Sequence, residues 1–583
     1  MASRPQLPGR SFWAGEILRR QTQHLHPVDL LLLVGLAGLA IGLVNFASPG
    51  VERAQTAIEI DLSLSALPHY TFYSLVRGSV AFLFSVLFTL VYGYWAAKDA
   101  AAERVLIPLL DILQSIPVLG FLPGLTLALI TLIPQGNIGL ELASILMIFT
   151  GQVWNLTFSF YHSLKSQPRD LVEMARLFQF SWWERFRWLE LPYSMVGLVW
   201  NGMMSMAGGW FFLIITESFP LGDKMYRLPG LGAYMSVAVD KEEPTAIVGA
   251  IVAMIVMIVA IDQFFWRPLA VWAEKFRLEE TSHFEVGRSW FLTLLRRSRL
   301  IRWLDLEISE RFFRTKRHRR AALDSAVPAS SDTVIAVLFS KLLLVLLLLL
   351  LGWGAWMLYG LIRDVSWSQW REQLLAGAFT LGRVLLAVGI GTLWTVPAGL
   401  ALGLSPRWSR RLQPVIQIVA SFPAPMLFTL VVLLLDRMGV SLGWGSIVLM
   451  LLGTQWYLLF NVIAGTMSLP GDLREAATSY RLTLWQRFKA LYLPGIFPYL
   501  VTGWVTAAGG AWNASIVSEY VTAHGKVEQA FGLGAEISVA AAAADFPRLA
   551  AAVLVMAGVV LLFNRLVWRQ CYNLAEKRFT LGG

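Results

Sequence analysis

The residues best placed for recognition chemistry lie in two polar segments of an otherwise apolar chain. Residues 168–192 read PRDLVEMARLFQFSWWERFRWLELP, and residues 470–494 read PGDLREAATSYRLTLWQRFKALYLP. The segments align without a gap, and 11 of their 25 positions are identical. A charged element that recurs 302 residues later indicates that one binding task is performed at two places.

Each segment carries a residue spacing that begins helices. Asp170 is followed three positions later by Glu173, and Asp472 by Glu475. This is the capping-box pattern, in which short polar side chains satisfy the free backbone N–H groups of a helix start. We therefore expect a helix to begin at each of these aspartates.

A second box follows in each segment, Ser181 with Glu184 and Thr483 with Gln486, and a Leu-Pro pair closes each segment. Because proline blocks helix continuation, we expect each second helix to end before that pair. Each segment is thus predicted to be two short helices joined by a turn. Its apolar positions exceed the needs of a solvated loop, which favours docking into a partner's groove over packing against the chain's own helices.

The other reactive residue types form no catalytic or metal-binding pattern. The seven His residues are scattered without an H-E-x-x-H motif, and Cys571 is the single cysteine. No G-x-x-x-x-G-K-[ST] loop is present to hold ATP phosphates. We expect this chain to bind no cofactor or metal and not to be an enzyme; a membrane-embedded enzyme is a remote alternative.

The composition predicts the elements that must hold these segments. Of 583 residues, 56% are hydrophobic and 15% charged, and the mean hydropathy is +0.59. Runs such as 29–47 and 341–360 are long enough to cross about 30 Å of hydrocarbon as helices. We predict an all-α polytopic membrane protein with about 12 transmembrane helices. Their expected positions are 28–48, 70–97, 105–133, 138–160, 193–216, 246–268, 334–361, 373–403, 413–436, 443–467, 495–517 and 547–570.

The repeat extends far beyond the two polar segments. At the same offset, GLGA at 230–233 matches GLGA at 532–535, and Glu217 matches Glu519. Upstream, at an offset of 306, Arg77 matches Arg383 and Pro117 matches Pro423. The prediction is two parallel-repeat six-helix halves. We divide the chain into a cytosolic segment 1–27, a first half 28–277, a connector 278–332 and a second half 333–583.

The positive charges predict the orientation of the chain. The segment 267–332 carries 14 Lys and Arg residues, and both polar segments and both chain ends are also basic. These regions are expected in the cytosol. The net charge of +10 is then a topology signal, and no nucleic acid is expected as a partner. Within the connector, 288–306 is expected to lie on the inner leaflet, as is 11–20, either as amphipathic helices or as solvated basic flanks.

The E-[AM]-A element, before a basic helix ending in Leu-Pro, resembles the EAA loop of binding-protein-dependent ABC importer permeases. FNVIAGTMSLPGDLREAA (460–477), SIP (115–117), SFP (421–423) and the GLGA segments resemble the nitrate/sulfonate (taurine)/bicarbonate-type subfamily. The resemblance implies two permease halves of the type I ABC importer fold, fused in tandem in a bacterial inner membrane. A fused ferric-iron-type permease and an ion-coupled secondary transporter are the alternatives.

The resemblance also implies partners and roles. Two ABC ATPase subunits, carrying ATP and Mg²⁺, would sit on the two loops at the cytosolic face. An extracytoplasmic binding protein would deliver a small solute, such as nitrate, bicarbonate or a sulfonate, for import by alternating access. The residues expected to couple to the ATPases are Asp170, Glu173, Ala175, Trp183, Arg185, Phe186, Asp472, Glu475, Ala477, Trp485, Arg487 and Phe488.

The chain departs from the family pattern at the turn between the coupling helices. Gln179 and Arg481 stand where the family has Gly, so a left-handed or rebuilt turn is expected there. The family's Asn, matched by Asn461, is Ser159 in the first half, which has therefore drifted further.

By the same resemblance, the fifth span of each half lines the translocation pathway. Its polar and aromatic candidates are Asn201, Ser205, Trp210, Thr216, Thr506, Trp512, Asn513 and Ser515. Ordinary helix-to-helix hydrogen bonding is the alternative for the hydroxyls, and packing or gating for the tryptophans. Asn513 is the best candidate, because an amide is costly to bury unpaired.

Several charges lie in or near the predicted spans. Arg77 and Arg383 are expected to snorkel to the outer interface, with attraction of an anion as the alternative. The matched glutamates at the outer ends of the fifth spans are expected to be solvated, with contact to a binding protein as the alternative. Mid-span Asp262 is interpreted either as a functional carboxylate or as part of a buried polar pair. With Glu141, it is the residue an ion-coupled transporter would use.

Overall fold

The computed structural model describes residues 59–133, 137–221, 224–276, 289–298, 331–523 and 526–579, together with positions 28, 34, 35 and 38. All structural statements below refer to these residues. The predicted first span, 28–48, and the predicted surface helix, 11–20, therefore lie largely or wholly outside the described part, as does most of the connector.

The first half is a series of helices interrupted by one β-hairpin. Its elements are α1 Leu67–Phe88, α2 Tyr94–Lys98, α3 Ala100–Ser115, α4 Leu122–Leu132, α5 Ile138–Lys165, α6 Arg169–Leu177, α7 Trp182–Arg185, α8 Leu191–Glu217, β1 Ser218–Leu221, β2 Lys224–Arg227, α9 Leu231–Asp240, α10 Pro244–Ile261, α11 Arg267–Ala273 and, in the connector, α12 Trp290–Arg297.

The second half repeats the order of the first. Its elements are α13 Ser331–Ile362, α14 Trp367–Leu404, α15 Pro406–Ser421, α16 Pro425–Arg437, α17 Leu442–Met467, α18 Gly471–Ser479, α19 Leu484–Arg487, α20 Leu493–Ser518, β3 Tyr520–Ala523, β4 Lys526–Gln529, α21 Leu533–Ala542, α22 Phe546–Phe563 and α23 Arg569–Phe579. In each half the two strands pair antiparallel, Ser218 opposite Arg227 and Tyr520 opposite Gln529.

The predicted all-α polytopic fold is confirmed in the described residues. Nine helices there are long and apolar enough to cross a membrane, or eleven if each of two bent helix pairs counts as one span. The count of 12 is not reached, because the predicted first span is not described. The helix pairs α6–α7 and α18–α19 lie at one end of the long helices, called the loop end, and the hairpins lie at the other, called the hairpin end.

The third span of each half, expected over 105–133 and 413–436, is bent at a proline that interrupts it. The helix axes turn by 86° in the first half and by 83° in the second. Ile116 and Phe422 have extended backbones, with ψ of 126° and 127°. Each precedes a proline, whose ring disfavours helical geometry in the residue before it, so the helix ends there.

The predicted break before each Leu-Pro pair is wrong in both halves. One continuous helical run extends over Trp182–Glu217 and another over Leu484–Ser518. A π-helical turn, Phe186–Glu190 or Phe488–Tyr492, joins each coupling helix to the fifth helix. The following proline, Pro192 or Pro494, therefore lies inside a helical run and cannot donate a hydrogen bond to the turn before it. The wider π-helical turn directly before each Leu-Pro pair is the local irregularity that accommodates this missing donor.

The same contact forms twice between the halves, because the fifth helix of each half packs against the third span of the other. Helix α8 of the first half packs against α15 and α16 of the second, and α20 packs against the 3₁₀ turn Val118–Phe121 of the first half. One apolar core cluster runs through both halves, with Trp210 and Trp512 among its buried members. The fifth helix of each half is therefore supported by the bent third span of the other.

Candidate coupling loops and translocation pathway

The second capping box of each loop is present as predicted. The Glu184 carboxylate accepts a hydrogen bond from the Ser181 N–H at 3.0 Å, and the Ser181 hydroxyl accepts one from the Glu184 N–H at 3.4 Å. In the second loop, the Thr483 N–H donates to the Gln486 side-chain carbonyl at 2.9 Å, and the Gln486 N–H donates to the Thr483 hydroxyl at 3.4 Å. These boxes fix where α7 and α19 begin.

The first predicted box is absent in both loops. Helix α6 begins at Arg169 behind Pro168, and α18 begins behind Pro470, and neither proline can cap with a side chain. The Pro168 carbonyl already accepts from the N–H groups of Leu171 and Val172. Asp170 and Asp472 therefore lie inside the first turn, where they interact favourably with the helix dipole instead of capping.

The turn between the coupling helices has the left-handed geometry predicted for it. Gln179 has φ of 51° and Arg481 has φ of 50°. In the first loop, the Phe180 N–H donates to the Ala175 carbonyl at 3.0 Å, the long-range bond of a Schellman helix end. The second loop repeats the bond at 3.1 Å. The turn is left-handed in both loops although neither residue is glycine.

The loops present apolar surface at their tips. Leu177 is 83% exposed and Phe178 69% in the first loop, and Leu484 is 83% exposed in the second. Among the predicted coupling residues, the exposed ones are Asp170, Glu173, Trp183, Asp472, Glu475 and Trp485; the half-buried ones are Arg185, Phe186, Arg487 and Phe488; and the buried ones are Ala175 and Ala477. The charged and aromatic members thus face outward, and the two alanines pack inward.

One buried carboxylate fixes the first loop, and the sequence analysis missed it. Glu190 is fully buried and receives Lys98 Nζ and Arg185 Nε, each at 2.6 Å. In the second loop Tyr492 occupies the matched position, and Arg487 instead donates to the Leu482 carbonyl at 2.9 Å. The first loop is therefore tied to the end of α2, whereas the second is closed on itself.

A second contact at the loop end joins the halves. The Trp95 indole N–H donates to the Ser340 hydroxyl at 2.8 Å, and that hydroxyl donates to the Asp99 carboxylate. The hydrogen bond from Ser340 holds the pKa of Asp99 below its usual range. Asp99 also caps α3, accepting from the Ala101 N–H at 2.8 Å.

The eight pathway candidates differ in what they touch. Asn513 contacts the other half, because its Oδ1 accepts from the Val118 N–H at 2.8 Å. Four others bond a carbonyl of their own helix, and Thr216 also pairs with Ser144 at 2.7 Å; these four are Asn201, Thr216, Thr506 and Ser515. The Ser205 hydroxyl is buried without a hydrogen-bond partner among the described residues. Trp210 and Trp512 are 2% and 3% exposed, in the apolar core.

Arg77 does not snorkel, and Glu217 is not solvated, so both predictions are wrong. Both side chains are fully buried and paired with each other, and Arg77 also meets Glu141 at 2.7 Å. In the second half Arg383 pairs with buried Glu519 at 2.7 Å. A guanidinium reaches the interface only when no acid lies closer, and here the acid at the end of the fifth helix meets it inside the half.

The GLGA segments explain why these glutamates are buried. The Gly232 N–H donates to the Glu217 carboxylate at 2.7 Å, and the Gly534 N–H donates to Glu519 at 2.9 Å. A Cβ on Gly230 would lie 2.3 Å from the Glu217 side chain. Glycine is thus required so that the start of α9 can approach the carboxylate closely.

The two charged clusters are not equal. Arg77 Nε donates to Glu141, whereas Arg383 Nε donates to the Gly443 backbone carbonyl at 3.1 Å. The first cluster therefore holds one arginine and two carboxylates, and the second holds one of each. The repeat had matched Arg77 with Arg383 and Glu217 with Glu519, but it predicted neither ion pair. The difference between the clusters follows from Glu141, which stands where the second half has Gly443.

A cavity of about 270 Å³ lies between the halves at the hairpin end. Leu119 and Ile215 of the first half and Met426 and Val517 of the second are among its apolar lining residues. Asp240 lines it as well, and Asp240 pairs with Arg227 at 3.2 Å. This space lies between the fifth helices and could receive a small solute.

Asp262 lies in a smaller space nearer the loop end. Its carboxylate pairs with Arg267 Nε at 2.8 Å across the π-helical turn of the same helix. Neither of its two interpretations, a free functional carboxylate or a polar pair between helices, describes this arrangement.

The sequence was then compared with known proteins. The family model described as "Binding-protein-dependent transport system inner membrane component" matches residues 89–265 and 395–573, more than half of the chain. The bicarbonate transport system permease protein CmpB of Synechocystis sp. is 25% identical over 142 residues, 24% of this chain and 49% of that protein. The taurine transport system permease protein TauC of Escherichia coli is 28% identical over 149 residues, 25% and 52% of the two chains.

A third relative, the nitrate import permease protein NrtB of Leptolyngbya laminosa, is 27% identical over 142 residues, 24% of this chain and 50% of that protein. The chain spans about half the length of these curated relatives in each match. The family domain, in contrast, recurs in the same two places as the repeated helices, bent spans and polar loops. The chain belongs to the family of binding-protein-dependent transport system inner membrane components and carries the family's domain twice.

Proposed function

We propose that this chain supplies both permease halves of an ATP-driven importer. In this proposal 28–277 and 333–583 are the two halves, 278–332 connects them, and the loops 168–192 and 470–494 each grip one ABC ATPase subunit. ATP and Mg²⁺ are bound by those subunits. The chain lies in a bacterial inner membrane with both termini in the cytoplasm, and the hairpin end receives the extracytoplasmic binding protein.

One observation carries the proposal. Two helix pairs of matched geometry project exposed aromatic and aliphatic side chains at the same end of the molecule, and surfaces of that kind are typical of helices that enter a partner's groove. Each pair continues into a fifth helix through a π-helical turn. Movement of an ATPase could thus be passed directly to the helices that border the cavity, giving alternating access.

The proposed solute is a small anion. The support comes from the relatives, whose names give bicarbonate, taurine and nitrate as transported species. In the described residues no observation favours an ion-coupled transporter, because Glu141 and Asp262 are each paired with an arginine. The ferric-iron alternative likewise has no supporting observation.

The test is co-purification of the tagged chain with ATPases encoded beside its gene. We expect wild type to retain ATPase, Glu173→Arg and Glu475→Arg to retain less, and the double variant to retain none, because a reversed charge on an exposed docking face removes complementarity. Glu243→Arg, which is exposed at the hairpin end, is the matched control and should retain ATPase as wild type does. A folded double variant that still holds the ATPase would refute the docking role.

A further inference from the structure

In the part of the chain that the structure describes, one hydrogen bond joins the halves beside the proposed pathway. The Val118 N–H donates to Asn513 Oδ1 at 2.8 Å. Val118 is buried and begins the 3₁₀ turn directly after Pro117, at the bend of the first half's third span. Asn513 Nδ2 donates to the Gly509 carbonyl of its own helix at 3.2 Å, which orients the amide so that its oxygen faces Val118.

The bond lies at the border of the inter-half cavity. Leu119, the residue after Val118, lines that cavity, as do Ile516 and Val517 on α20. Helix α20 runs from the loop end to the hairpin end, so Asn513 lies about one turn, or about 5 Å, nearer the loop end than those two residues. The bond therefore lies on the side of the cavity that faces the coupling loops.

The matched position in the repeat is built differently. There Phe211 replaces Asn513, and Ala424 replaces Val118. Phe211 packs against the apolar cluster that contains Ala424. That contact can slide without loss of a polar partner, whereas separation of Val118 from Asn513 breaks a hydrogen bond between the halves.

We propose that Asn513 is a positioning residue that holds the pathway shut on the loop-end side of the cavity, and that its bond to Val118 breaks when solute passes toward the cytoplasm. The proposal rests on the importer function above. The bond forms only while α20 and the 3₁₀ turn are in contact, and we call it a latch for that reason. The closed arrangement is stabilised by this bond, and arrangements in which the halves have moved apart lack it.

The test measures access to the cavity from each side of the membrane. In a Cys571→Ser background, Thr429→Cys places the only thiol on the cavity lining. A membrane-impermeant maleimide is added to sealed vesicles of either orientation, and the labelling rate is measured. With the latch intact, we expect labelling from the hairpin side and at least tenfold slower labelling from the cytosolic side.

Two variants remove one partner each. Asn513→Leu removes the acceptor, and Val118→Pro removes the donor. The proline is compatible with the backbone, because Pro117 has φ of −62° and ψ of 119°, the extended geometry required before a proline, and Val118 is the first residue of its turn. From the cytosolic side, each variant should be labelled at least tenfold faster than the protein with the latch intact. The double variant should be labelled no faster than either single variant, since both substitutions break the same bond.

Matched variants separate the latch from packing. Val118→Ala loses side-chain packing but keeps the donor, and Phe211→Leu alters the equivalent site that has no latch. Both should label at the reference rate from both sides. The proposal is overturned if Asn513→Leu keeps the reference rate, if Val118→Ala acts as Val118→Pro does, or if the reference thiol labels equally from both sides. Labelling needs no ATPase, so failed co-purification would refute the importer proposal alone.

Discussion

Arg77 and Arg383 occupy matched positions and are neutralised in different ways. Arg77 lies between the carboxylates of Glu217 and Glu141, and Arg383 has Glu519 and otherwise backbone carbonyls. A buried arginine that loses its acid leaves an uncompensated charge, which is far more costly than the pair is stabilising. The second carboxylate therefore gives the first half a reserve partner that the second half lacks.

This difference predicts unequal effects of one substitution made in each half. Glu519→Gln leaves Arg383 without a carboxylate and should lower the free energy of unfolding by about 3 to 5 kcal/mol. Glu217→Gln leaves Glu141 beside Arg77 and should cost clearly less. Thermal unfolding of both variants in lipid nanodiscs measures the order. The double variant Glu141→Gln/Glu217→Gln is the control and should approach the effect of Glu519→Gln; equal melting temperatures for the two single variants would contradict the account.

At the scale of elements, the left-handed turn in each coupling loop is held at a cost in conformational free energy. Gln179 and Arg481 have positive φ, which is unfavourable for residues with a Cβ by about 1 to 2 kcal/mol. The Schellman bonds and the capping box on either side of each turn hold that geometry. Two short helices thus stay at a fixed angle without the glycine that relieves strain elsewhere, as Gly439 does at φ of 72°.

Glycine at either turn should therefore stabilise its loop locally. Gln179→Gly and Arg481→Gly each remove the Cβ clash, and we expect a gain of about 1 kcal/mol after the extra freedom of glycine in the unfolded loop is counted. Hydrogen exchange of the amides in α6 and α18 measures this as roughly fivefold slower local opening. Gly439→Ala is the reverse control and should speed exchange around its own turn. Unchanged exchange in both loop variants would show that the turns carry no strain.

The same elements show what the sequence can predict. The second capping boxes and the membrane helices follow from local spacing and composition, the left-handed turns follow from the family resemblance, and all three are confirmed. Pro117 and Pro423 interrupt the third spans already in the sequence, but the size of each bend does not follow from it, since a proline in a membrane helix is often tolerated by its neighbours. The hairpins have only four residues per strand, too few for an alternating pattern, and the burial of Arg77 depends on Glu217, a partner 140 residues away in the chain.

At the scale of the whole molecule, the halves hold together through close backbone approaches and not through the connector alone. A Cβ on Gly120 would lie 2.8 Å from the Val553 side chain of the second half, closer than real Cβ contacts allow. A Cβ on Gly453 would lie 3.9 Å from Phe211 of the first half, an ordinary van der Waals contact. Small residues let helices approach closely in membranes, where apolar surface alone gives little preference for protein over lipid.

The halves should therefore assemble as separate chains. We expect 1–320 and 321–583, produced together, to co-purify, and Gly120→Leu to reduce the recovered second half severalfold because the larger side chain collides with Val553. Gly124→Leu is the matched control, since nothing lies within 4 Å of a Cβ there, and it should have no effect. Failure of the unmodified halves to associate would mean that the covalent connection is essential for assembly.

The two halves differ at matched positions. Glu141 binds Arg77 in the first half, where the second half offers Arg383 the Gly443 carbonyl, and Asn513 in the second half matches Phe211 in the first. In a transporter built from two identical subunits, a point mutation changes both sides of the pathway at once. A substitution that would be favourable on one side only is therefore always present on the other side as well. Tandem fusion releases that constraint, and each half can be selected separately while the architecture stays twofold. Such a protein can evolve a distinct entrance, barrier or ATPase contact on one side alone.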